Sequence, residues 1–99
     1  CEDSAIQFMT FSSDLVFDGQ SDRPYIETDV TAPINVYGLA KAEAERMVLE
    51  RMPGALIVRT SAFFGPWDQA NFVWAVTEAA RAKQPIRVAG DTIVSPTYV

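Results

Sequence analysis

Apolar positions along this chain fall into runs of two kinds. Ala5-Ile6-Gln7-Phe8-Met9-Thr10-Phe11 and Ala55-Leu56-Ile57-Val58-Arg59 are short, nearly continuous, and rich in β-branched and aromatic residues. At that length they predict strands rather than helices. The second has the look of a strand buried on both faces, as in a parallel sheet. Between them, from Val36 to about Met52, the pattern is helical. Asn35 is a ready N-cap, and Pro53-Gly54 supplies a stop. Val36, Leu39, Ala40, Met47 and Val48 are expected on the face toward the sheet. Glu43, Arg46 and Glu50 are spaced for charge pairs on the open face. Strand, helix, strand in this order predicts an α/β crossover unit, right-handed by the usual rule.

The connecting stretches are also readable. Ser12 to Gly19 is expected to leave the first strand, with a turn at Asp18-Gly19. Gln20 to Ile34 contains Pro24 and Pro33 and reads as a long surface loop, a kind of segment usually functional or disordered. Thr60 to Ala70 is a second loop. Asn71 opens a helix running to about Lys83 and stopped by Pro85. Ile86-Arg87-Val88 suggests a short strand, Gly90-Asp91 a turn, and Ile93 to Val99 an extended tail broken by Pro96. Phe63, Phe64, Trp67, Phe72 and Trp74 are most simply core between loop and helix, with a ligand-facing wall as the other reading. No repeat or low-complexity segment interrupts the pattern.

Composition narrows the chemistry. Ninety-nine residues with 48% hydrophobic content make one domain or a piece of one. The chain begins in mid-pattern without methionine, which suggests a segment of a longer protein. A net charge of −5 without a basic cluster argues against nucleic acid or an anionic membrane surface as a partner. No apolar run approaches the roughly 20 residues of a membrane span. The single cysteine, Cys1, can form no internal disulfide, which is compatible with a reducing cytoplasm, and it reads as a core position without chemistry. The absence of histidine removes the commonest general base and metal ligand. Asp14, Asp18 and Asp22 recur every four residues, which does not match a calcium loop, so no metal is expected.

Chemistry must therefore come from Tyr, Ser, Lys or carboxylates. Tyr37 and Lys41, one helical turn apart, share a face. An ammonium beside a phenol favours the phenolate, so the tyrosine pKa is expected to fall from its reference of about 10 toward neutral. Such a tyrosine can protonate a carbonyl oxygen or deprotonate an alcohol. Ser13, at the end of the first strand, could hold the same substrate oxygen. Each of these residues also has a structural reading, as strand terminus, buried aromatic or surface lysine.

Phe11-Ser-Ser-Asp-Leu-Val-Phe-Asp-Gly19, Glu27-Thr-Asp29 and Pro33-Ile-Asn-Val-Tyr-Gly-Leu-Ala-Lys41 together resemble the extended short-chain dehydrogenase/reductases. Within them they resemble the dTDP-4-dehydrorhamnose reductase-like group. Arg59-Thr60-Ser61, Asn71-Phe72 and Ser95-Pro96-Thr97 continue the likeness along the whole chain. The resemblance implies a doubly wound Rossmann-type parallel sheet, of which residues 1–99 would hold the fifth and sixth strands, their crossover helix and the start of a substrate-binding region. It implies a catalytic triad of Ser13, Tyr37 and Lys41, with Tyr37 as proton donor and Tyr37 and Lys41 against an NADP or NAD cofactor. Ser13, Asp14, Ala62 and Asn71 would face a 4-keto nucleotide sugar.

The Gly-rich phosphate loop of such folds lies outside these residues, so the N-terminal half of the domain, or a second copy, is expected to complete the sheet. Where the group usually has tryptophan after Arg-Thr-Ser, this chain has Ala62. Sister dehydratases are expected to carry Asp-Glu after the hydroxyl residue, and Asp14-Leu15 does not match. A non-catalytic regulatory relative and a sugar-nucleotide epimerase remain as alternatives to the reductase.

Overall fold

The computed structural model describes residues 6–91 and 93–99. Expectations for Cys1 and for Ala5 at the start of the first strand lie outside them. The chain divides into two compact units, Cys1–Thr60 and Ser61–Val99.

In the first unit, β1 (Met9–Ser13) pairs in parallel with β2 (Leu56–Thr60) in the register Met9↔Leu56 through Ser13↔Thr60. The crossover between them contains a single turn of 3-10 helix at Asp14–Val16 and α1 (Val36–Arg51). A parallel α/β unit is thus present, as the element order predicts. Among the described residues β1 pairs with β2 alone.

β1 starts and ends later than the apolar run suggests: Ser12 and Ser13 lie inside the strand and are buried. The partner strand fixes this boundary. Thr60 Oγ1 donates to the Ser12 carbonyl at 3.2 Å, and Leu15 N–H donates to Ser13 Oγ at 3.2 Å. Ser12 and Ser13 extend the ladder through their backbone, opposite Arg59 and Thr60. β2 is exposed at Leu56 and half-buried from Ile57 to Thr60, which corrects the expectation of burial on both faces.

α1 forms where expected. Asn35, in extended conformation, accepts a 2.7 Å bond from Gly38 N–H, and Arg51 sits in the last turn, where a cation suits the helix dipole. Its docking face does not match the expectation. Val36 is 84% exposed, and Leu39, Ala40 and Met47 are exposed as well, while Gly38 and Glu45 are buried and Lys41, Ala42 and Val48 half-buried. The reason is local. Gly38 lets the first turn press onto the 3-10 turn, and Glu45 is drawn inward by a cation on β2. Glu43, Arg46 and Glu50 form the expected surface ion pairs.

The 17–34 loop is tied together by its own side chains. Phe17 and Tyr25 stack with centroids 4.1 Å apart and planes within 8°. Tyr25 Oη donates to Asp18 at 2.7 Å, Arg23 and Asp29 form a two-point ion pair, and Ala32 N–H donates to the Val16 carbonyl at 2.9 Å. Val16 beneath it is fully buried. Gly19, at φ 73°, supplies the expected turn after Asp18.

In the second unit, β3 (Phe63–Phe64) pairs in parallel with β4 (Thr97–Tyr98), two short strands the apolar pattern does not reveal. α2 (Phe72–Arg81) is capped by Asn71, whose Oδ1 accepts from Trp74 N–H at 2.8 Å. It ends two residues before Lys83. That residue takes a left-handed conformation (φ 53°), and Lys83 and Gln84 N–H close back onto the Ala80 and Ala79 carbonyls. Residues 86–88 are not a strand. The aromatic cluster is not a core either: Phe63, Trp67, Phe72 and Trp74 are exposed, and Phe64, half-buried, packs edge-on to Tyr98 at 5.3 Å.

Gly38 offers a direct check on the docking of α1. A Cβ there would collide with the Leu15 carbonyl, lying 2.9 Å from its carbon and 3.1 Å from Pro33 Cβ. Gly→Ala inside an open helix stabilises by about 1 kcal/mol. Overpacking against backbone reverses that sign, so Gly38→Ala in the intact protein should destabilise by about 1–3 kcal/mol in urea denaturation. Unchanged or raised stability would show that the first turn is free of the 3-10 turn.

Candidate active site

The helical stripe Tyr37, Lys41, Glu45 runs along α1 at intervals of one turn. It passes from exposed to buried: Tyr37 is 55% exposed, Lys41 half-buried and Glu45 6% exposed. The phenol is therefore open to a ligand, while the same stripe is anchored at its inner end.

Lys41 links the phenol to the sheet. Its Nζ lies 5.8 Å from the Tyr37 ring centroid and donates to the Phe11 carbonyl of β1 at 3.2 Å. An ammonium has three donors. One is used here, which leaves two for hydroxyl groups of a ligand.

Ser13 closes β1. Its Oγ donates to Asp14 Oδ1 at 3.1 Å while accepting from Leu15 N–H, so the hydroxyl caps the 3-10 turn and is oriented by the neighbouring carboxylate. That turn touches the turn of α1 carrying Tyr37, through Leu15 against Gly38. Ser13, Asp14, Tyr37 and Lys41 thus belong to one unit, on β1, the 3-10 turn and α1.

Ala62 and Asn71 belong to the second unit. Ala62, exposed, accepts from Thr97 N–H at 2.8 Å through its carbonyl. Asn71 is buried, and besides capping α2 its Nδ2 donates to the Gly65 carbonyl at 3.3 Å and to the Asp68 carbonyl. Its side chain is fully committed to holding the loop before the helix.

Sequence reasoning passed over one pair, Glu45 and Arg59. Arg59 Nε and Nη2 grip both Glu45 carboxylate oxygens, at 3.0, 3.2 and 2.7 Å. The guanidinium also lies 4.8 Å from the Phe17 ring centroid, in cation–π range. Burial pushes the Glu45 carboxyl up. The hydrogen bonds from Arg59 and the Arg59 charge outweigh that and hold it below its ordinary value. Hydrogen bonding to Glu45, against the opposing effect of burial, holds the Arg59 guanidinium above its own. A Glu on the turn following the lysine, with an Arg ending the next strand, was the available signal.

The chain matches a known family over its whole length, residues 1–99, described as the RmlD substrate binding domain. It is 42% identical over 87 residues to a dTDP-4-dehydrorhamnose reductase of Aggregatibacter actinomycetemcomitans, covering 88% of this chain and 29% of that protein. It is 37% identical over 99 residues to a dTDP-4-keto-6-deoxy-D-glucose reductase of Streptomyces niveus, covering 99% of this chain and 34% of that one. The spore coat polysaccharide biosynthesis protein SpsK of Bacillus subtilis is 37% identical over 92 residues, 93% of this chain and 32% of the relative. The chain spans about a third of the length of these curated relatives. No solved structure matches it significantly.

The lowered Glu45 value has a sign that can be measured. A depressed carboxyl contributes its stability in full above the unfolded value of 4.5 and loses it as pH falls through the folded one. Wild-type protein and Glu45→Gln should therefore differ most in denaturation midpoint near neutral pH. The gap should close progressively below about pH 4.5. A gap that stays constant through that acid range would refute the buried-pair account.

Proposed function

This chain belongs to the RmlD substrate binding domain family, and from that premise we propose that the protein containing it reduces a 4-keto nucleotide sugar with a nicotinamide cofactor. The observation that carries this reading is the Tyr37–Lys41 pair held against the strand that ends in Ser13. Reductases of dTDP-4-keto sugars among the relatives support it.

In this reading the residues divide the work. The reduced nicotinamide, NADPH or NADH, supplies the hydride when bound. Ser13 turns its one hydroxyl proton from Asp14 to the substrate carbonyl oxygen, and Asp14 meets the sugar. Tyr37, exposed beside the lysine, donates a proton to the same oxygen as negative charge develops there. The two free donors of Lys41 suit the ribose hydroxyls of the cofactor, while its bond to Phe11 fixes the ammonium under the phenol. The polar groups already present thus fit a nicotinamide nucleotide. Ala62 and Asn71 are assigned to the substrate side, Asn71 chiefly by shaping its loop. β1 and β2 are assigned as the fifth and sixth strands of a doubly wound sheet whose remaining strands, with the phosphate-binding loop, lie in the rest of the protein.

Removing only the proton donor tests the assignment. In the intact protein Tyr37→Phe should lower turnover of a dTDP-4-keto-6-deoxy sugar by about 10²–10⁴-fold. Binding of the reduced cofactor, read by fluorescence titration, should change little. Turnover like that of wild type in this variant would remove the basis of the proposal.

A further inference from the structure

We propose that Glu45, clamped by Arg59, is a positioning residue for Lys41 and, through it, for Tyr37. The inference rests on the reductase reading above and extends it to residues that touch neither substrate nor cofactor.

A cavity of about 80 Å³ lies between α1 and β1 at the level of Lys41, lined by apolar Phe11, Ala44, Val48 and Ile57 as well as by Lys41 and Glu45. Ser12, 5% exposed, has its hydroxyl oxygen buried beside this space without a hydrogen-bond partner. Close packing normally fixes the height of a helix over a sheet, because interiors deform little. Where packing is missing, directional links must do it.

Two such links span the gap. One is the bond from Lys41 Nζ to the Phe11 carbonyl at 3.2 Å. The other is the two-point grip of Arg59 on Glu45, one turn further along the same stripe. They meet on neighbouring positions of the sheet, since Arg59 is the register partner of Ser12, the residue after Phe11. A planar guanidinium on a carboxylate fixes orientation as well as distance. The clamp therefore sets both the rotation and the height of the helix where Lys41 must aim its remaining donors.

A single-ion change and an apolar replacement separate positioning from stability. In the intact protein, Glu45→Gln should lower kcat by about tenfold or more, a size in keeping with small misplacements of catalytic groups. KM for the keto sugar should stay within about twofold, because neither Glu45 nor Lys41 holds it, while KM for the cofactor should rise as Lys41 loses its aim at the ribose; the loss in kcat belongs to geometry in the transition state. Glu45→Leu with Arg59→Met refills the volume and leaves no buried charge unpaired, so its melting temperature should match or exceed wild type. Its kcat should nevertheless remain low, since packing alone does not restore the aim of Lys41. Wild-type kcat in this stable double variant overturns the positioning role, provided Tyr37→Phe is impaired alongside it. Full activity in Tyr37→Phe instead overturns the reductase reading, and the positioning role with it. Should Glu45→Gln fail to fold, the double variant carries the test alone.

Discussion

One guanidinium organises the first unit of this chain. Arg59 stands on β2, holds the carboxylate of α1 with two N–H groups of one edge, and lies against the ring of Phe17 in the loop leaving the 3-10 turn. Phe17 in turn carries Tyr25, whose hydroxyl is tied to Asp18. Strand, helix and loop are therefore joined through a single side chain. With Val16 as the one fully buried apolar side chain among the described residues, apolar burial is thin here, and the polar links do much of the orienting.

An interior ion pair is an uncertain source of stability. Desolvating both ions costs nearly as much as their attraction returns, and apolar replacements are often neutral or better. Its value here lies in direction. A bidentate pair has one good geometry, whereas an apolar contact tolerates sliding. The difference matters on a helix that carries an exposed phenol and an ammonium on the same stripe as the buried carboxylate.

Much of this organisation was legible in the residues. Asn35 and Asn71 announced both helix starts, Asp18-Gly19 announced a turn, and the two apolar runs announced a parallel pair. The docking face of α1 was not legible, because Val36, Leu39 and Met47 are apolar yet exposed, while a glycine and a glutamate face inward. Periodicity reports where a helix could bury itself. It does not report a close approach at Gly38 or a cation waiting on the next strand. β1 runs past its apolar residues for a related reason: Ser12 and Ser13 are polar, and ladder pairing with Arg59 and Thr60 makes them strand residues. β3 and β4 are two residues each, too short to leave a pattern. The Ser13, Tyr37 and Lys41 spacing was visible in the sequence, whereas the clamp beneath it left only a Glu one turn after the lysine and an Arg on the next strand.

The register of β1 against β2 also bears on how the unit is assembled. Thr60 and the Ser12 carbonyl it binds are 48 positions apart in the chain, and every rung of the ladder is comparably remote. Closing so wide a loop costs entropy before any pairing returns it. The capped turns of α1 and the Phe17–Tyr25 stack are local and can form without that closure. Arg59 has nothing to grip until both have arrived. The entropic cost of the unit thus falls on the ladder, while the clamp joins residues only 14 positions apart.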